Sequence, residues 1–373
     1  MSGIAHSLVR RVVEATQEHY NSPQDNNEDQ IKQIALWGMV LIWVTGVLYL
    51  AMVSVVSYTY GDVIATLTMI ETPTATSFKV DSADEVDAPL LDQKTAGMTP
   101  LEADLFLVKQ KPITSKMRTA LKHIQSVGGC GAAFRGLHVA LIYHIVHSLI
   151  TNLFASSGIY RPIIAIITSV ALCRLQMTWT HIVISNPSEK AWYRRFPSIQ
   201  ARKNIIIPTA ILAIAQQAAI YVPTTLFATF ANTMNRQGDE SQKKLACLQL
   251  LMVALTGIAT IVLVVIPADV TLKRVQASML PEEDESIVPF DRTFGGKAKP
   301  EILGGSGAVG MLDAWKTFDR SARIRLIKLY AKIITIQVAT TIMFFMVVVG
   351  ELRLIMGDDF VKMVRMAHEQ VKH

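Results

Sequence analysis

The sequence is short of charge: only 18% of its 373 residues are Asp, Glu, Lys or Arg, whereas 51% are apolar. A soluble domain usually carries about a quarter charged residues. The apolar residues are collected in blocks close to the roughly 20 residues that a helix needs to cross a bilayer. This composition excludes an ordinary soluble domain and predicts an integral membrane protein whose first partner is the lipid bilayer.

Cysteine is also scarce, and Cys130, Cys173 and Cys247 are far apart. A disulfide framework or a zinc site requires cysteines paired at short spacing, so we expect neither, and we predict no metal and no cofactor. The net charge is +6, but the basic residues fall between the apolar blocks, where membrane-flanking charge usually lies. We therefore expect no nucleic-acid partner.

Six apolar blocks predict six spanning helices, because backbone polar groups in lipid must be paired within the chain. The predicted fold class is all-α integral membrane, with spans at 34–57, 137–159, 162–184, 205–235, 245–266 and 333–350. A flexible or amphipathic segment (1–33) precedes the membrane domain (34–350), and a tail (351–373) follows it. Long links are predicted at 58–136 and 267–325.

Lys and Arg are concentrated in the first, third and fifth links and are few in the second and fourth. Positive residues favour the side from which a membrane protein is inserted. We therefore expect these three links on one face, cytosolic or matrix, and both termini on the other.

The odd-numbered spans are followed by similar sequences, each with a carboxylate two residues after a helix-ending position. These are Tyr60-Gly61-Asp62, Pro187-Ser188-Glu189 and Pro267-Ala268-Asp269. Glycine turns with an aromatic-basic pair precede two even-numbered spans, at Phe134-Arg135-Gly136 and at Trp315-Lys316. A repeat of this kind is typical of transporter folds.

Together these motifs resemble the mitochondrial carrier family, and the chain is also similar to fungal multi-pass membrane proteins of no assigned activity. The carrier resemblance implies three two-helix repeats around a pseudo-threefold axis, in the mitochondrial inner membrane. It also implies that Asp62, Glu189 and Asp269 act as gate residues, whereas their alternative role is that of solvated loop acids. The pattern departs from the family at Tyr60, which replaces a proline, and in a short third link.

Arg174 lies within the third predicted span, where a charge costs on the order of 3 kcal/mol. No Asp or Glu falls inside any predicted span, so we expect Arg174 to face a wet cavity and to bind an anion. The alternative is a hydrogen bond to helix carbonyls, or to a lipid phosphate by snorkelling. His144, His147, Gln217 and Lys332 would complete a basic, polar cavity, unless the histidines are packing residues and Lys332 snorkels to the interface.

These residues predict a carrier that moves a small anionic solute by alternating access. The alternative is a non-transporting scaffold that binds a protein partner through its long loops. A membrane enzyme is not favoured, because no paired acids, metal cluster or nucleophile stand out. The endoplasmic reticulum or another endomembrane is the alternative location.

Overall fold

The computed structural model describes residues 36–72, 75–79, 105–109, 112–156, 160–188, 190–234, 240–298, 307–357 and 360. Five helices there are long and apolar enough to cross a bilayer, and a bent pair makes a sixth. In chain order, the spans are Trp37–Ile70, Gly131–Ala155, Arg161–Ala171 with Cys173–Ile184, Ala201–Ala231, Lys244–Ser278 and Arg320–Met356. At this level, the prediction of a multi-pass helical membrane protein is confirmed.

The secondary structure is almost entirely helical within the described ranges. The α-helices are Leu36–Val56, Ala65–Ile70, Met117–Gly128, Leu137–Ala155, Arg161–Ala171, Cys173–Ile184, Ile199–Met234, Glu240–Thr260, Ile266–Ser278, Met311–Lys316 and Arg320–Met356. Short strands Ala75–Lys79 and Leu105–Lys109 pair antiparallel in the first link. The all-α expectation therefore missed one small two-stranded sheet.

Three predicted spans had wrong boundaries. The first helix continues to Ile70 instead of stopping at 57, the fifth continues to Ser278 instead of 266, and the sixth covers Arg320–Met356. The links predicted at 58–136 and 267–325 therefore begin with helix. The extensions of the first and fifth helices are buried in protein and do not face lipid, so they tolerate polar residues at which a hydropathy pattern ends.

Each odd-numbered span departs from α-helical geometry before its last turns. The first has a π-helical segment at Ser57–Ile64, the third bends by 58° at Leu172, and the fifth has a π-helical segment at Ile261–Val265. In the fifth span the cause lies in the sequence, because Pro267 lacks the N–H of a regular helix. All three helices then resume and end at Ile70, Ile184 and Ser278.

The last turns of the odd-numbered spans pack together, and we call this packed layer the odd-end core. Its fully buried side chains include Ile64, Ile70, Val183, Ile184 and Val270, which belong to one hydrophobic cluster. The starts of two even-numbered spans, around Val139 and Leu326, add buried side chains to the same cluster.

Hydrogen bonds tie the odd-end core together. Arg274 of the fifth span donates to the carbonyls of Met69 (3.0 Å) and Ala314 (2.9 Å). Thr180 of the third span donates to Oε1 of Gln276 at 2.6 Å. Because a buried polar group without a partner costs about 1–3 kcal/mol, these bonds hold the three helix ends in one arrangement.

Outward faces of the spans are apolar. On the second span Leu141, Ile145 and Leu149 are 51–64% exposed, and their spacing of four places them in one stripe. On the fifth span Leu255 and Ile258 are exposed in the same way. Continuous apolar stripes on the outside of a protein mark a surface that a membrane or a partner covers.

Contacts divide the chain into two units, residues 1–51 with 339–373 and residues 52–338. In the first unit, the Tyr49 ring stacks on Phe344 with centroids 4.2 Å apart, and Thr45 donates a hydrogen bond to Glu351. The second unit contains the odd-end core.

Substituting Gly136 by alanine should destabilise the protein. Gly136 has φ +69°, and a Cβ there would lie 3.1 Å from Trp179, so strain of about 1–3 kcal/mol adds to a clash. We expect Gly136→Ala to lower the thermal unfolding midpoint of the detergent-solubilised protein. Gly131→Ala is the matched control, because its Cβ would meet open space; equal midpoints for the two variants would contradict the explanation.

Candidate functional site

A polar cavity of about 330 Å³ lies inside the second unit. Its lining comes from five spans: 58–66 of the first, 140–147 of the second, 169–179 of the third, 212–217 of the fourth and 265–273 of the fifth. This volume is at the lower end of the roughly 300–1,000 Å³ of small-molecule pockets. Tyr58 and Trp179 of the lining belong to the same hydrophobic cluster as the odd-end core.

Three hydrogen-bond acceptors lie within, or shortly after, the irregular segments of the odd-numbered spans. They are the carboxylates of Asp62 and Asp269 and the amide oxygen of Gln176, all in the cavity lining. Each lies eight or nine residues before the end of its helix, at Ile70, Ser278 and Ile184 respectively.

The three acceptors are without partners within the described part of the chain. Oε1 of Gln176 is buried and accepts no hydrogen bond. The side chains of Asp62 and Asp269 make no hydrogen bond or ion pair with any described residue; Asp62 is exposed and Asp269 is half-buried in the cavity lining. Carboxylates in a protein cavity favour a positive or proton-donating partner, and more so the less water they contact.

Lys273 supplies the nearest positive charge. Its ammonium lies 4.1 Å from the centroid of the Trp179 ring and 3.3 Å from Oγ1 of Thr180, so it is held by a cation–π contact and a hydrogen bond. It interacts electrostatically with both carboxylates without bonding either one. Asp62, Asp269 and Lys273 therefore sum to a formal charge of −1.

Two tyrosines and a tryptophan form the aromatic wall of the cavity. Nε1 of Trp179 donates to the Tyr58 hydroxyl at 3.1 Å, and that hydroxyl donates to the carbonyl of Arg135. Tyr143 packs against His147 with ring centroids 5.8 Å apart. The wall thus connects the first, second and third spans at the level of the three acceptors.

The two cavity histidines have different surroundings. Nε2 of His147 is 3.1 Å from Oγ of Ser169 and 3.2 Å from the carbonyl oxygen of Ala165, which fixes its ring against the third span. His144 meets Tyr143 edge-on and is the more exposed of the two. Within the described ranges, no three His, Cys, Asp or Glu side chains form a group suited to a metal.

Five of the eight residues that the sequence analysis singled out line this cavity: Asp62, Asp269, His144, His147 and Gln217. Glu189 lies outside the described residues. In the third span the residue at the level of the two aspartates is Gln176, thirteen positions before Glu189.

Arg174 and Lys332 are not in the lining. Nη2 and Nε of Arg174 donate to the carbonyl of Pro197 at 2.6 and 3.2 Å, and the guanidinium lies 5.8 Å from the centre of the Phe196 ring. The acceptor is thus a carbonyl of the third link, outside any helix, and not one of the helix carbonyls that the alternative for Arg174 named. Lys332 is exposed on the sixth span.

Lys273, Gln176 and the aromatic wall were missed by sequence reasoning. A signal for Lys273 existed, because it stands four residues after Asp269 and shares its helical face. That signal was lost when the fifth span was ended at 266. The expectation that no carboxylate lies within a span was wrong for the same reason.

Removing the Tyr58 hydroxyl should loosen the cavity wall. Tyr58→Phe leaves the Trp179 N–H and the Arg135 carbonyl without their shared partner, which should cost about 1–3 kcal/mol and lower the thermal midpoint. Tyr60→Phe is the matched control, because the described residues include no hydrogen-bond partner for its hydroxyl. A Tyr58→Phe midpoint equal to that of Tyr60→Phe would show that the bridge does not stabilise the fold.

Comparison with known proteins adds no assignment: no family model, no curated protein and no solved structure matches this chain. The function must therefore be argued from the cavity itself.

Proposed function

We propose that this protein is a membrane solute carrier and that the polar cavity is its binding site. The observation that carries the proposal is the pair of unpartnered carboxylates, Asp62 and Asp269, facing a hollow inside a bundle with apolar outer faces. Ionisable groups at membrane depth are costly, and they mark substrate or ion pathways in membrane proteins.

We further infer that the spans form three two-helix repeats around a pseudo-threefold axis. The support is the repeated order in the odd-numbered spans: a helical irregularity, then Asp62, Gln176 or Asp269, then about two turns of buried helix. In this alignment Gln176 replaces Glu189 as the middle member. The sequence resemblance to mitochondrial carriers agrees with this arrangement.

Alternating access requires the odd-end core to open. Opening on that side would separate Arg274 from Met69 and Thr180 from Gln276, bonds that the closed form makes. A solute shifts such an equilibrium only by its difference in affinity for the two states. The cavity lies directly against the core, so a bound solute can supply that difference through Asp62, Gln176 and Asp269.

The scaffold alternative has support of its own in the first link, which carries the paired strands Ala75–Lys79 and Leu105–Lys109 outside the spans. A scaffold, unlike a carrier, has no need to expose one cavity to both membrane faces. Cysteine labelling separates the two functions on this point.

A cysteine at Gln216 should be reachable from both faces of the membrane. Gln216 is exposed in the cavity lining, so in a background with Cys130, Cys173 and Cys247 replaced by alanine, Gln216→Cys should react with an impermeant thiol reagent added to either side of oriented, sealed vesicles. Gln125→Cys, on an exposed position of the first link, is the control and should react from one side. Gln216→Cys reacting from a single side would favour the scaffold.

We place the carrier in the mitochondrial inner membrane, on the strength of the motif resemblance. A tagged full-length chain should co-fractionate with inner-membrane markers and resist carbonate extraction. Co-fractionation with reticular markers would contradict this location and would leave the cavity proposal standing.

A further inference from the structure

We infer that the cavity takes a solute carrying a protonated amine, cationic or zwitterionic, in place of the anion that the sequence suggested. This inference rests on the proposed function, since it names the substrate class of the same cavity. The observation that supports it is that three hydrogen-bond acceptors without described partners, Asp62, Gln176 and Asp269, line one cavity from three different spans.

The donor requirement follows from the chemistry of these groups. A carboxylate accepts hydrogen bonds only, and the buried Oε1 of Gln176 is likewise an acceptor that lacks a donor. A primary ammonium group has three donors and no acceptor. Its three donors equal the number of these acceptors, one on each odd-numbered span, whereas an anionic group brings further acceptors.

Charge points the same way. The charged and titratable side chains that line the cavity are Asp62, Asp269, Lys273, His144, His147, Tyr58 and Tyr143. With neutral histidines and tyrosines their formal charge is −1, because the single ammonium offsets one of two carboxylates. Arg174 and Lys332, the cations on which the anion expectation depended, lie outside the lining.

The ammonium group of Lys273 does not itself satisfy the two carboxylates. Its ammonium is already engaged by the Trp179 ring and by Thr180, and it makes no ion pair with either carboxylate among the described residues. It is positioned as a second contact, to which the carboxylate of a zwitterion can bind.

The size of the cavity favours an organic amine over a bare inorganic ion. Its volume of about 330 Å³ is on the order of ten times the roughly 30 Å³ that one water molecule occupies in the liquid. An inorganic ion would leave most of this space to water.

The test is charge-selective modification of the Gln216→Cys variant in the cysteine-free background, using the solubilised full chain at pH 8, where histidine is ordinarily neutral. Two methanethiosulfonate reagents of similar size are compared, one with a trimethylammonium group and one with a sulfonate. A cleft of one charge sign raises the local concentration of opposite charge by roughly 10-fold or more. We therefore expect the ratio of cationic to anionic rates at position 216 to exceed the ratio for Gln125→Cys by about tenfold.

Substitutions of the charged lining residues test whether they cause the difference between the two reagents. Adding Asp62→Asn with Asp269→Asn should bring the ratio down to the value for Gln125→Cys, and adding Lys273→Gln should raise it. If the double variant does not fold, Asp62→Asn alone and Lys273→Gln still move the ratio in opposite directions. A ratio that ignores all of these substitutions overturns the inference.

Competition distinguishes an amine from other ions. Propylammonium chloride should slow the modification of Gln216→Cys, whereas sodium propionate and sodium chloride at equal ionic strength should not. Protection by propionate, protection by sodium chloride equal to that by propylammonium, or faster reaction with the sulfonate reagent each overturns the amine inference and leaves the cavity as a binding site. Failure of both reagents to reach position 216 overturns the proposed function itself.

Discussion

The need of two carboxylates on membrane-spanning helices for water or a partner organises the second unit. Asp62 and Asp269 belong to helices whose neighbouring turns are apolar, and an unpaired charge is not tolerated against lipid or in a dry core. Both side chains instead face a hollow large enough for water or a solute. The departures from α-helical geometry occur at this same level, at Ser57–Ile64 and Ile261–Val265.

The odd-end core is the packed apolar layer next to that cavity. Directly after the polar level, the three odd-numbered helices return to apolar side chains, such as Ile64, Val183 and Val270, that pack against one another. Its ties are hydrogen bonds from Arg274 and Thr180 to carbonyl and amide oxygens. Each bond from the charged Arg274 contributes about 1.5–3 kcal/mol and that from Thr180 about 0.5–1.5 kcal/mol, in addition to the apolar contacts of the layer.

For the proposed carrier, the expected substrate class depends on which cations lie in the cavity. Arg174 was the outstanding charge in the sequence, yet its guanidinium bonds the Pro197 carbonyl beside Phe196. Lys273, unremarkable in the sequence, lies beside Trp179 and interacts with both aspartates. With Lys273 as the cavity cation in place of Arg174, the expected solute changes from an anion to an amine.

The sequence alone determined that the chain is helical and multi-pass, because an apolar block of bilayer length must pair its backbone polar groups within itself, as a helix does. It also determined several cavity residues, among them Asp62, Asp269 and His147, because the motif at the ends of odd-numbered spans carries local information. Tertiary structure decided the rest: how far the helices continue, that Gln176 lines the cavity together with the two aspartates, and that Arg174 bonds the Pro197 carbonyl outside it. The physical reason is that helix ends and side-chain partners in this protein depend on contacts between distant segments, such as Arg274 with Met69, which hydropathy and spacing do not encode.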